Sequence, residues 1–248
     1  MPSEMRLLPV LVESATFQSE LVLTNPLPVP QTAALTYVES LSPGSGAGGS
    51  LTLSFLPGEQ KIIPGAIDYL RQHGVAVGPT GTTYAGALSV VFNNGTTTSS
   101  GFVGARTAAL VNGTGPGEYG LFYPGVGPSI AATTEAWVYG LQQNDGNRSN
   151  LALANLGDGG DPITFRLDVF DGDTGQLAGS ISPPALAPGG WTQVNAVLQA
   201  FNVSNGYVHV VRLSGSDHFL VYGVVNDGAA PGQGTSDGSY VAGQVADK

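Results

Sequence analysis

Apolar and polar residues alternate with a period of two through much of this chain. Leu21 and Leu23, then Leu35 and Tyr37, carry the pattern in the first half; Leu151 and Leu153, then Phe165, Leu167 and Val169, carry it in the second. That period puts the apolar side chains on one face of an extended segment, so each run predicts a half-buried strand. Turn chemistry separates the runs, as NPLPVPQ (Asn25–Gln31) and NLGDGGDP (Asn155–Pro162) contain the residues that tolerate the backbone angles of a strand connection. SPGSGAGGS (Ser42–Ser50) and DGDTGQ (Asp171–Gln176) predict hairpin loops, and Pro57–Gly58 and Pro188–Gly189 predict reversals between strands. Helical spacing occurs only after those two reversals, in AIDYLRQHG (Ala66–Gly74) and NAVLQAFN (Asn195–Asn202). Gly74 suits a helix stop and Asn195 a cap, which predicts one short crossover helix per half.

The pattern repeats itself. TFQSELVLTN (Thr16–Asn25) matches GNRSNLALAN (Gly146–Asn155), and LPGEQKIIPGAIDYL (Leu56–Leu70) matches APGGWTQVNAVLQAF (Ala187–Phe201), at offsets of 130 and 131 residues. GALSVV (Gly86–Val91) against GYVHVV (Gly206–Val211) is a third landmark in the same order, the mark of a duplicated unit. Asn25 and Asn155 end equivalent strands, and Val138–Leu141 stands where Leu7–Val12 (LLPVLV) stands in the first copy. The organisation expected is a first β-sandwich over 1–110, a Gly/Pro-rich linker over 111–134 and a second β-sandwich over 135–248. The linker is expected to pack, because leaving Leu121, Phe122 and Tyr123 in water is unfavourable.

Composition agrees with strands and turns. The 248 residues include 37 Gly and 17 Pro, with 42% hydrophobic and only 10% charged residues. A helical protein would hold more Ala, Leu, Glu and Lys. A net charge of −10 argues against a nucleic-acid partner. The lack of cysteine excludes disulfides, thiolate metal sites and a cysteine nucleophile. No apolar run has membrane-spanning length, and the opening MPSEMRLLPVLVES lacks a basic region followed by a long apolar one. Membrane insertion is not expected, and any export signal is expected to lie outside these residues.

EYGLFYPGV, RSNLALANLG, VFDGDTGQLAGS, LAPGGWTQVNAVL, NGYVHVVRL and FLVYGVVNDG followed by TSDGSYV resemble the repeated tail domains of secreted proteins from acidobacteria-like bacteria. The likeness covers most of the second half and, more weakly, the first. It implies an all-β chain of two tandem immunoglobulin-like β-sandwich domains, secreted or at the cell surface. It carries no catalytic residue, since its motifs are fold signatures. Glu59 and Gln60 stand where the second half has Gly190 and Trp191, so Trp191 has no counterpart in the first half.

Candidate chemistry is sparse. Asp171 and Asp173, in DGDTG, resemble the opening of a calcium loop, but Gly175 and Ser182 occupy positions where an EF-hand loop needs oxygen ligands. Asp158 and Asp161 join such a site only if the loops converge; the plainer reading is an acidic hairpin. Of the three histidines, His73 suits a helix end, His209 lies in a strand, and His218, beside Ser216 and Asp217, is the best catalytic candidate. No nucleophile motif accompanies it. GPTGTTYAG (Gly78–Gly86) lacks the lysine of a phosphate loop. Trp137, Tyr139, Trp191 and Tyr207 are the candidate ligand-binding residues, because indole and phenol rings stack on sugars while their polar edges hydrogen-bond. For Trp191 the competing reading is a plug at the end of the sandwich.

The leading expectation is therefore a non-catalytic extracellular structural or surface module, a spacer, scaffold or assembly unit. It would need no cofactor beyond the candidate calcium, and its partners would be itself or other cell-surface components. Self-association would use edge strands, with Leu7–Val12 as the segment offered unless it is simply its unit's first strand. The alternative is a glycan-binding accessory domain of a secreted hydrolase, and a hydrolase built on His218 ranks third.

Overall fold

The computed structural model describes residues 5–41, 48–109, 119–230, 233 and 237–245. The chain is all-β and divides into two compact units, Met1–Ser129 forming the body of the first and Ile130–Pro188 with Thr192–Lys248 the second. The first contains β1 (Arg6–Glu13), β2 (Phe17–Thr24), β3 (Gln31–Leu41), β4 (Gly48–Phe55), β5 (Gln60–Ile63), helix α1 (Ala66–Gln72), β6 (Tyr84–Asn93), β7 (Thr98–Ser99), β8 (Phe102–Ala109) and β9 (Gly120–Pro124). The second contains β10 (Glu135–Gln142), β11 (Asn147–Asn155), β12 (Thr164–Asp171), β13 (Leu177–Ile181), β14 (Trp191–Val194), a 3-10 turn (Gln199–Phe201), β15 (Asn205–Ser214), β16 (Phe219–Asp227), β17 (Gly238–Ala242) and β18 (Gln244–Val245).

Strand order is the same in both. In the second unit β13-β12-β15-β10-β18 forms one sheet and β14-β11-β16-β17 the other. In the first, β4-β3-β6-β1 and β5-β2-β8-β9 repeat that arrangement, and the two layers join where Glu13 of β1 pairs with Gln18 of β2. Even the exit from the last strand recurs. Val126 bridges Leu7 of β1 after β9, as Val245 pairs with Ala136 of β10 after β17. In the second unit Val138, Leu167, Val169, Val208 and Val210 from one sheet bury against Leu151, Leu153, Phe219 and Val221 from the other, which makes a β-sandwich.

Three devices hold each copy, and all recur at matching positions. The first strand bulges, between Leu8 and Leu11 in β1 and between Val138 and Leu141 in β10. Gly86 pairs with Leu11 and Gly206 with Leu141. A Cβ at Gly86 would collide with the Val38 carbonyl oxygen, and one at Gly206 would lie 2.7 Å from that of Phe170, so the neighbouring strand excludes any side chain. Second, the buried Ser19 and Ser149 hydroxyls accept the Val12 and Gln142 N–H groups at 2.8 and 2.7 Å, satisfying donors past each bulge. Third, Asn25 donates to the Val29 and Leu56 carbonyls at 2.8 and 2.9 Å and accepts the Leu27 N–H at 2.9 Å. Asn155 donates to the Asp161 and Leu186 carbonyls at 2.9 and 3.1 Å and accepts the Gly157 N–H at 2.8 Å.

Several expectations change. Within the stretch read as a linker, 111–118 lies outside the described residues, Gly120–Pro124 is strand β9 beside β8, and the second unit begins at Ile130. Its apolar residues pack because they belong to a sheet: Tyr123 is buried and Phe122 stacks on Phe102 at 6.4 Å. Most of the first hairpin loop, residues 42–47, also lies outside the described residues, whereas Asp171–Gln176 closes a hairpin with the Asp171 N–H donating to the Gln176 carbonyl at 2.9 Å. Only the first unit has an α-helix among the described residues. The Val75 and Val203 N–H groups bond to the carbonyls of Leu70 and Leu198, which aligns those leucines at an offset of 128 residues, not 131. The second copy is thus three residues shorter here, nearly one helical turn, and closes with a 3-10 turn instead. Leu7–Val12 is β1, lying between β6 on one side and Val126 and β2 on the other, so it is an interior strand and not a free edge.

Asn155→Ala removes the partner of two carbonyls and one N–H around a buried strand end and is expected to destabilise the second unit by about 2–4 kcal/mol, with Asn25→Ala doing the same to the first. Urea unfolding of each variant should move one unit's transition and leave the other in place. A second prediction concerns Tyr240 on β17, which stacks on Tyr222 at 5.2 Å. Burial pushes its hydroxyl up to about 12. The folded state then holds this proton more tightly than the unfolded chain, whose tyrosines titrate near 10. Stability is complete below about pH 10 and falls as pH rises through about 12, by no more than about 2–3 kcal/mol. Tyr240→Phe should flatten that alkaline decline in unfolding titrations between pH 9 and 12.

Candidate functional site

Cross-strand register assembles one cluster of rings. Trp137 and Tyr139 are two residues apart on β10, alternating with the core residues Ala136 and Val138, so both project from the outer face of that sheet. Trp137 pairs with His209 of β15, and Tyr207, two residues away on β15, pairs with Phe170 of β12. The outer face therefore carries Trp137, Tyr139, Phe170, Tyr207 and His209 side by side. Trp137 stacks on His209 with centroids 3.9 Å apart and planes 6° from parallel, and Phe170 stacks on Tyr207 at 5.1 Å and 1°. The Tyr139 ring lies 6.0 Å from that of Trp137 with its plane within 2°, and 5.6 Å from that of Tyr207. Tyr139 is the open end of the group, 48% exposed, while the other members are half-buried.

Ionisable groups on this face have partners close by. Glu135 Oε2 lies 2.9 Å from His209 Nε2, and Arg166 Nε donates to both Asp168 oxygens at 3.0 Å. Ser180 Oγ on β13 also donates to Asp168, at 2.6 Å.

Of the four aromatic residues singled out from sequence, the sheet brings three together. Trp191 is elsewhere: it opens β14 in the opposite sheet and is buried. Phe170 and His209 were missed. Their signal was the outward row of each strand, Arg166, Asp168, Phe170 on β12 and Tyr207, His209 on β15, which becomes a cluster only once the register is known.

The acidic candidates are used by their own loops. Asp171 Oδ1 accepts the Asp173 and Thr174 N–H groups at 2.9 Å each, and these bonds, Thr174 first, hold its carboxyl below the ordinary aspartate value. Asp173 Oδ1 accepts the Asn205 side-chain amide at 2.9 Å. Asp158 and Asp161 precede β12 and Asp171 ends it, so the strand's eight residues keep the two loops roughly 20 Å apart. They do not converge. Among the described residues no group of three His, Asp or Glu side chains is placed to hold a metal ion.

The His218 turn is a clamp. Its N–H donates to Asp158 Oδ1 at 2.7 Å, and its ring Nδ1 makes a short hydrogen bond to Asp158 Oδ2. Buried Asp217 accepts the Gly159 and Asp161 N–H groups at 2.6 and 3.2 Å, and Ser216 Oγ donates to Asp161 Oδ2 at 2.6 Å. Ser216, the adjacent hydroxyl, is thus directed at a carboxylate and not at the imidazole, which is the reverse of a nucleophile–base pair. His73 ends α1, where Nδ1 donates to the Tyr69 carbonyl at 2.8 Å and the ring stacks on Tyr69 at 4.0 Å.

The first unit has a hollow of about 420 Å³ lined by Gln31, Phe55, Leu56, Glu59, Asn93 and Asn94 among others. Gln31 turns no free amide into it, since Nε2 donates to Asn25 and to the Ser100 carbonyl while Oε1 accepts from Ser99. Glu59 is tied to Lys61 at 2.6 Å and to the Leu56 N–H at 2.7 Å.

No protein-family model and no curated protein sequence matches the chain. Among solved structures, the crystal structure of red sea bream transglutaminase aligns at 12% identity and a TM-score of 0.16, over 96% of this chain and 31% of that one. A likeness at that level carries no argument about fold or activity, and the chain spans less than a third of that structure.

The carboxylate assignments predict a calorimetric result. Adding 1 mM calcium, or removing divalent ions with EDTA, should leave the unfolding temperature within about 1 °C of its starting value. A site with a dissociation constant near 10 μM would instead add about 2.7 kcal/mol of stability at that concentration.

Proposed function

We propose that the chain is a non-catalytic extracellular structural module in which two β-sandwich units act in series as a spacer or scaffold. The observation that carries this reading is the set of matched buried groups. Asn25 and Asn155, Ser19 and Ser149, and Gly86 and Gly206 serve the same backbone task in both copies. What the two units share is therefore what keeps a sandwich folded. The residues best suited to chemistry, Ser216, Asp217 and His218, fasten one loop to another and so serve the same end. Resemblance to the tail domains of secreted proteins supports placement outside the cell.

Pulling on the full chain from its two ends tests the in-series arrangement. Two unfolding events are expected, each releasing about 40 nm of chain, given roughly 120 residues per unit at ~3.5 Å each less the folded span. One event releasing the whole length would overturn it. Turnover of p-nitrophenyl esters and glycosides tests the rest: wild type and His218→Ala should both match the buffer blank, and a rate that His218→Ala abolishes would make the chain a hydrolase.

A further inference from the structure

The aromatic face of the second unit is not among the features the two units share. The registers Leu7 with Ser89 and Val38 with Ala87 in the first unit correspond to Trp137 with His209 and Phe170 with Tyr207 in the second. Pro9, inside the first bulge, corresponds to Tyr139 inside the other. The first unit thus has Leu7, Pro9, Val38 and Ala87 at the backbone positions where the second places four aromatic rings, and there Leu7, Pro9 and Ala87 are buried while Tyr139 in the second is 48% exposed. Core and turn devices are shared while this face differs, and in the second unit it leaves a group of rings partly open to solvent.

We propose that this face is a binding site for an uncharged polysaccharide chain, laid along β10 against Trp137 and Tyr139. Stacking on His209 directs the Trp137 ring across the strands. The Tyr139 ring, two residues along the strand, lies parallel to it 6.0 Å away. Pyranose rings offer flat C–H faces to such aromatic rings, and the Tyr139 and Tyr207 hydroxyls with Glu135 are polar groups within reach of sugar hydroxyls. Three observations select this occupant. The one arginine, Arg166, is taken up by Asp168 and Glu135 faces His209, so the face offers no unpaired cation to a polyanion. A second copy of this chain would bring a charge of −10 against its own kind. Area also argues against a dimer: rings of roughly 150–250 Å² at these exposures leave no more than about 400 Å² of aromatic surface, half of the ~800 Å² per partner in a stable protein interface.

The test is retention of the full chain on microcrystalline cellulose, insoluble xylan, curdlan and chitin, with polygalacturonate as the charged comparison. Wild type is expected to be retained by at least one of the four uncharged polymers and not by polygalacturonate. Tyr139→Ala, at an exposed position where folding is little affected, should weaken retention by up to about tenfold, and Trp137→Ala by at least as much. Tyr119→Ala, which removes a similarly exposed ring from the first unit, should leave retention unchanged. No retention on any of the four, Trp137 and Tyr139 variants retained as well as wild type, or retention by polygalacturonate alone would overturn the proposal. So would a dimer in light scattering that Tyr139→Ala dissolves, since the face would then be a self-interface.

Discussion

Everything in both units depends on satisfying backbone groups where a strand ends inside a sandwich. As β2 and β11 finish, the chain must leave one sheet and cross to the other, and around the fully buried asparagine at each strand end lie backbone groups that no strand pairs. An unpaired buried N–H or carbonyl costs on the order of 1–3 kcal/mol, so such a crossing needs its own partners. One carboxamide provides them: two donors for two carbonyls of passing loops and one acceptor for the N–H two residues on. Asn25 and Asn155 each tie the strand end to the loop that follows it and to a carbonyl thirty-one residues later, Leu56 or Leu186, just before β5 or β14. Aspartate lacks the donors and leucine lacks both functions. The same reasoning explains the buried serines and the bulge-facing glycines, which settle a local backbone need that no apolar residue can meet.

That dependence explains which features could be read from sequence. Period-two alternation located β2, β3 and β12, where one face is the more buried, and β11, which is buried on both faces but alternates leucine with alanine. The duplication was legible because its landmarks are the residues under the tightest backbone constraint: the terminal asparagines, the Pro-Gly reversals and the bulge-facing glycines. β9 and β17 escaped because they are five-residue strands with few fully buried side chains, so no alternation distinguishes them from a loop. The second helix was overestimated because spacing alone does not reveal that three residues are missing, and a single turn is decided by length.

The candidate site was half legible for a different reason. Residue type suggested Trp137, Tyr139 and Tyr207, yet type also suggested Trp191, which the fold buries in the other sheet. Whether two rings touch depends on strand register, a long-range property: Trp137 meets His209 seventy-two residues away. Neither partner's local sequence encodes that meeting. For the same reason the two aspartate pairs looked combinable in sequence and are separated by the length of β12 in space.

Two units of the same strand order differ most where the fold constrains them least. A sheet's outer face contributes to stability through cross-strand pairs worth only about 0.2–1 kcal/mol each, whereas its inner face and strand ends each carry several times that. Substitution is therefore tolerated on the outer face first. The two units differ there: leucine, proline, valine and alanine stand at the positions of the four rings, and three of these are buried where the rings are partly exposed. The half-exposed Tyr139 gains little of the burial that would account for an aromatic ring there. An exposed ring, kept parallel to its neighbour, is better explained by what it meets from outside than by what it supports within.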